Sequence, residues 1–281
     1  AALQADHTGP FRDWFALLNS GRRVTAAGSS DTHDVNRYIL GQGRTYLRCP
    51  DNDAGKIDVA TACRSFREGR ALVSMGLLTT LKVEDQFEVG DLATKLPPKI
   101  KLEVAVYGPR WTKADILTLY ANGIPFLEKK FNPKEDGILK FVFRHEMPRP
   151  AHDAHLVAIA TGPGVTKPYW EIPRPYQHKT KDYVPILLGA TNPVWLDGDG
   201  DGSFTFPKLY ADEIVQETKG NLQKTLAALK GFDEAVAAQV AGILTDKGHN
   251  LGSEKAKARW EKASSESVRR GFASFVGTLK D

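Results

Sequence analysis

The stretch DILTLYANGIPFLEK, residues 115–129, holds two apolar runs on either side of Asn122-Gly123. Both residues of that pair tolerate the positive φ of a tight turn, so the stretch predicts a hairpin with strands over 115–120 and 124–129. Its neighbours repeat the theme. Ile100, Leu102, Val104 and Val106 alternate with polar or small residues, the pattern of a half-buried strand, and 139–144 and 155–161 add two more. Turns rich in Gly, Pro and Asn separate these runs, and no helix of useful length is predicted across residues 80–165. The region reads as an antiparallel β-sandwich.

Upstream the texture is different. FRDWFALLN (11–19) sets Phe11, Trp14, Phe15 and Leu18 on one helical face, and Gly21 ends the helix. Arg23–Ala27 is a strand candidate that runs directly into Gly28-Ser29-Ser30-Asp31-Thr32-His33. DVATACRSFREG (58–69) predicts a second amphipathic helix, opened by Asp58 as N-cap and closed at Gly69, with the next strand over 70–75. Downstream, GPGVTKPYWEIPRPYQ (162–177) is an extended proline-rich connector, followed by a strand over 184–190 and then DGDGDG (197–202). From about residue 208 the pattern is helical. Leu222, Leu226 and Leu229 share a face, as do Val236, Val240, Ile243 and Leu244. The final segment, 254–281, has Trp260, Val268, Phe272 and Phe275 as apolar points and seven basic against four acidic groups, which suits a packed helical tail or a basic docking surface. The expected organisation is an α/β segment over 1–79, a β-sandwich with connector and acidic loop over 80–206, and a helical region over 207–281.

Composition excludes several classes. Basic and acidic residues nearly balance (38 against 34), no basic block occurs, and aromatics are not interleaved with arginines, which argues against nucleic acid. No apolar run is long enough to span a membrane. Cys49 and Cys63 form no metal or redox motif and fix no compartment. The opening AALQADHTGP has no initiator Met, basic run or apolar core, so no signal peptide is read there, and the start reads as the interior of a longer chain.

Asp31 and His33 are the first candidate site. Side chains at i and i+2 of an extended loop point the same way, so a carboxylate and an imidazole reach one metal cluster or two neighbouring ions. Both donors suit zinc, manganese or iron, and Gly28, Ser29 and Ser30 let backbone approach a bound ion closely. Asp-x-His by itself is equally a surface loop. The longer run DWFALLNSGRRVTAAGSSDTHDV, with GQGRTYLRCP and SFREGRALVSMG after it, resembles the closing portion of PHP-domain metallohydrolases of the CehA/McbA type over residues 11–79. The resemblance implies a distorted β/α barrel, here a partial one, whose last metal ligands are Asp31 and His33. It also implies phosphoester or carbamate/amide-type hydrolysis by metal-activated water. Later segments, GATNPVWLDGDGDG above all, fit relatives that carry a sandwich after the PHP domain. Such relatives often look exported, which points to a periplasmic or secreted location.

The chain departs from that pattern in one respect. PHP enzymes open with His-x-His, and none of the seven histidines here forms it. His152 and His155 lie in the predicted sandwich, and His7 reads as a surface loop or an extra ligand. Two ligands do not hold zinc tightly. The remaining ligands are expected from an upstream segment, and the chain alone is expected to be inactive. Arg44 and Arg48, within fifteen residues of His33, are candidates for clamping an anionic group of a small-molecule substrate, or are ordinary surface cations.

Asp197, Asp199 and Asp201 alternate with glycines, with Ser203 next: the first half of an EF-hand-type calcium loop. Position 12 is Lys208 instead of Glu, and Asp212 follows four residues later. The loop reads as a structural calcium site or as a metal-free acidic turn. A second functional class remains beside the hydrolase: a non-catalytic binding or assembly protein using the sandwich, with Tyr169, Trp170, Tyr176 and Trp195 as a candidate surface or as core.

Overall fold

The computed structural model describes residues 9–32, 39–132, 137–166, 170–172, 184–263 and 265–279. The chain opens with α1 (Gly9–Asn19), β1 (Gly43–Leu47), α2 (Val59–Arg67), β2 (Ala71–Met75), β3 (Leu78–Val83), β4 (Phe87–Glu88) and β5 (Leu92–Ala93). Long strands follow: β6 (Lys99–Tyr107), β7 (Ile116–Ala121), β8 (Ile124–Lys130), β9 (Leu139–Pro148) and β10 (Ala154–Pro163). After β11 (Ile186–Thr191) and β12 (Val194–Leu196) the rest is helical: α3 (Pro207–Glu217), α4 (Leu222–Ala228), α5 (Glu234–Asp246), α6 (Glu254–Trp260) and α7 (Glu266–Thr278).

Two sheets result. The larger runs β1-β2-β11-β10-β12-β5, with β7 on the other side of β10 and β8 beyond it, and the smaller runs β4-β3-β6-β9. Neither closes into a barrel. Where the PHP resemblance implies a barrel segment, β1 and β2 are antiparallel members of this open sheet. The sheet draws strands from both sides of residue 79, and β3 itself spans that position. The strand expected over 23–27 also does not form. Its backbone is held by side chains instead of a neighbouring strand: Ala26 N–H donates to Asn192 Oδ1 (2.8 Å), and Asn192 Nδ2 donates to Ala26 O (3.0 Å). The Thr45 hydroxyl does the same for Gly28, at 2.9 Å in both directions.

Local rules account for much of the remainder. Asn122 and Gly123 take φ of 48° and 78°, turning β7 into β8. Asp58 caps α2 by accepting from the amides of Ala60 and Thr61. β10 is buried on both faces, because it lies mid-sheet between α1 and the smaller sheet. One face carries His155 beneath Phe15 of α1. The other faces β3, whose Thr79 hydroxyl donates to Gly189 O at 2.9 Å. Residue 189 must be glycine for this approach, since a Cβ there would lie 2.6 Å from Thr79 Oγ1 and 2.7 Å from Leu77 O. One apolar core therefore joins both sheets and α1.

The helices build a second core around Val236, Val240, Leu244, Trp260 and Phe272. Both helical faces read from the sequence contribute, as do Trp260 and Val268 of the terminal segment. The region meets the sheets through Asn122, whose Nδ2 donates to Asp233 Oδ2 at 2.8 Å, and through Tyr210 of α3. No helix among the described residues is long and apolar enough to cross a membrane. Cys49 and Cys63 are free thiols.

Candidate metal centre

The loop after β12 folds on its own aspartates. Asp197 Oδ1 accepts from Gly200 N (2.8 Å) and its Oδ2 from Gly202 N (3.1 Å), while Asp201 Oδ1 accepts from Ser203 N (2.7 Å) and Oγ (2.8 Å). Gly200 and Gly202 both sit at φ near +86°, a backbone state that glycine adopts without strain. The alternation of Asp and Gly is thus a folding instruction: each carboxylate captures amides a few residues on, and the glycines let the chain turn back.

The loop then recruits a residue that the sequence reading missed. Asp153, fully buried just before β10, accepts from Gly198 N on Oδ1 (2.8 Å) and from Thr205 N on Oδ2 (2.6 Å). The antiparallel pairing of Ala154 with Leu196 puts it there, because the same register sets the residue before Ala154 opposite the residue after Leu196. Asp153, Asp197 and Asp199 each offer a carboxylate oxygen within 4.8 Å of the others. Oxygens bound to one calcium at 2.3–2.6 Å lie up to about 5 Å apart, so this spacing suits a hard divalent cation. Asp201 is not part of the trio. Lys208, at loop position 12, pairs instead with Asp212 of the same helix at 3.3 Å, so Asp153 fills the inner side of the loop.

Electrostatics give the cluster an appetite for positive charge. Asp153 and Asp197 are buried, and among the described residues no ion pair reaches Asp153, Asp197, Asp199 or Asp201. Burial pushes the Asp153 carboxyl above its usual range, with the Asp199 charge adding to the rise and the Thr205 and Gly198 amides opposing it. The Tyr210 hydroxyl donates to Asp199 Oδ2 (2.7 Å) and accepts from Asp153 N (3.2 Å). Burial, and then the bond to Asp199, drive this phenol far above the ordinary tyrosine range. It stays a neutral donor and does not add to the negative charge.

The other candidate residues lie apart. Asp31 is half-buried at φ +52°, with its amide donating to Ser29 Oγ (3.3 Å). His33 and His7 lie outside the described residues, as do Tyr169 and Tyr176. Residues 28–30 run antiparallel to 41–45, which places Asp31 toward Gly41 and Arg48 at the far end. Arg44 is exposed with its guanidinium 3.5 Å from Tyr46 Oη, and Arg48 pairs with Glu88 at 3.2 Å. The structure does not bring Arg48 to Asp31. Of the aromatic set, Trp195 is core, crossed at 4.6 Å by Phe204, and Trp170 is half-buried. His152 is buried, with Asp233 N donating to its Nε2 (3.2 Å) and its Nδ1 2.9 Å from Asp153 O. His155 is buried under Phe15 and Trp195. Neither belongs to the acidic cluster.

No family model, curated protein or solved structure matches this chain.

Proposed function

We propose that this protein is a metal-binding portion of a hydrolase in which a calcium ion at Asp153, Asp197 and Asp199 locks the two-sheet unit to the helical region. The observation that carries the calcium site is the trio of converging carboxylates, two of them buried, with amides and a tyrosine hydroxyl as their only partners among the described residues. Asp153 directly precedes β10, Asp197 directly follows β12, and Tyr210, which donates to Asp199, belongs to α3, so one ion joins sheet, loop and helix.

The catalytic centre in this reading is elsewhere. Asp31 and His33 are the last ligands of a multinuclear zinc, manganese or iron site, and an upstream segment completes the ligand set. Such ions supply a water of lowered pKa and a Lewis acid for phosphoester or carbamate/amide bonds. Two observations support the reading. The GSSDTH run resembles the PHP ligand motif, and an open apolar cavity of about 500 Å³ lies between α1, residues 24–29 and β2, lined by Phe11, Trp14, Val73 and Met75. Ser29, two residues before Asp31, is part of its wall. In this reading the cavity offers apolar surface on which that upstream segment packs. Of the two ligands in this reading, Asp31 is among the described residues and His33 is not.

Elemental analysis of the undigested protein from its native source tests both sites. Two or three transition-metal ions per protein, lost in Asp31→Ala, together with one calcium that persists, is the expected result. Calcium alone, with the upstream segment present, would remove the hydrolase reading and leave a binding or assembly protein on a two-sheet scaffold.

A further inference from the structure

A second cleft, of about 350 Å³, opens between the start of β2 and the later part of β3, with walls from β1, β2, β3, β4 and the end of β6. Its floor is apolar, formed by residues that include Leu81 and Val89. Its rim carries Tyr46, Tyr107, Arg48, Arg70, Lys82 and Glu88. Size and composition suit a small-molecule site: mostly apolar walls with a few placed polar groups.

The charges on the rim define what fits. Arg48 pairs with Glu88 (3.2 Å) and approaches Asp91 (3.9 Å), Lys82 pairs with Glu88 (3.1 Å), and Arg70 pairs with Asp91 (3.1 Å) and Glu68 (3.0 Å). Three cations therefore meet three carboxylates, so each cation of the lining is already paired, and a further guanidinium, that of Arg44, touches the Tyr46 hydroxyl from outside the lining. A purely apolar ligand would in turn bury charged groups without replacing their hydration. The network keeps spare bonding capacity, since a guanidinium has five N–H donors and a carboxylate about four acceptor sites. The side chains stay partly open, with Arg48 54% and Glu88 35% exposed. Tyr46 is 41% exposed, so its ring is open to a ligand, and Tyr107 is half-buried.

We propose that this cleft binds a neutral mono- or disaccharide, with its C–H faces on Tyr46 and Tyr107 and its hydroxyls bridging the Arg48–Glu88–Lys82 network. Alternating donors and acceptors match hydroxyl groups, each of which donates once and accepts twice. Tyrosines supply flat apolar faces with a polar tip and little rotamer entropy to lose. The site depends neither on the acidic loop nor on Asp31, so it stands or falls separately from the hydrolase reading.

Saturation-transfer difference NMR on the full chain tests it, using maltose, cellobiose, lactose and N,N′-diacetylchitobiose at millimolar concentration, with glucose 6-phosphate and inorganic phosphate as anionic probes. At least one neutral disaccharide is expected to show transfer. That transfer should fall at least tenfold in Tyr46→Ala and be unchanged in Phe126→Ala, an exposed aromatic on β8 at the opposite edge of the larger sheet from β1. Glu88→Gln leaves one cation uncompensated and should shift preference toward glucose 6-phosphate. The proposal is overturned if none of the four disaccharides binds, if binding survives Tyr46→Ala, or if the unmodified protein prefers the anionic probes.

Discussion

Acid should destabilise this protein through one buried imidazole. His155 is fully enclosed, with Nε2 donating to Asn19 Oδ1 (2.9 Å) and Nδ1 without a partner among the described residues. Burial pushes its pKa down from 6.5 to about 3. The unfolded chain keeps the ordinary value, so between those limits it binds a proton that the native state refuses. Stability from this residue is therefore intact above pH 6.5 and is lost as pH falls toward 3. The slope is about 1.4 kcal/mol per pH unit once the unfolded histidine is protonated, and the accumulated loss at pH 4 is about 3 kcal/mol. Other groups titrate over the same range, so the measurement is a difference: urea unfolding of wild type and His155→Gln at pH 7.5, 6.0, 5.0 and 4.0. The variant starts less stable because its packing beneath Phe15 is poorer, but it should lose about 3 kcal/mol less on acidification. Parallel stability curves for the two proteins, or an NMR titration in which His155 protonates above pH 5, would refute the reasoning.

Three further outcomes are expected. Calcium at a hundred times its dissociation constant should stabilise the protein by about 2.7 kcal/mol, seen as a rise in Tm that EDTA reverses and that Asp153→Ala abolishes. An equal rise in wild type and Asp153→Ala would place any calcium elsewhere. Asn122→Gly keeps the positive φ but removes the side chain that accepts from His155 N and donates to Asp153 O and Asp233 Oδ2. It should cost about 3 kcal/mol in denaturant unfolding, and a cost under 1 kcal/mol would mean that these bonds are replaced by water. Gly189→Ala drives a methyl into Thr79 and the Leu77 backbone, so a loss of about 1–3 kcal/mol is expected, and an unchanged unfolding midpoint would contradict the close contact between the sheets.

The sequence by itself determined what depends on short range. Asn122-Gly123 makes a hairpin because two adjacent residues must take positive φ. Asp58 opens α2 because a carboxylate there reaches two free amides. DGDGDG makes a turn of self-capturing carboxylates wherever it is placed, and the helical faces of 222–244 follow from their period. Tertiary structure decided the rest. Asp153 joins Asp197 and Asp199 only because β10 and β12 pair in one register, and nothing in PRPAHDAH connects it with a loop more than forty residues away. The apolar run 23–27 has the composition of a strand, but the Asn192 and Thr45 side chains satisfy its backbone and leave no ladder to join. β1 and β2 have the local pattern of an α/β segment, yet they close onto β11, more than a hundred residues downstream in the chain. Local preference sets each element's type. Which elements become neighbours, and so which side chains converge on an ion, is settled by the burial of a shared core that no short window contains.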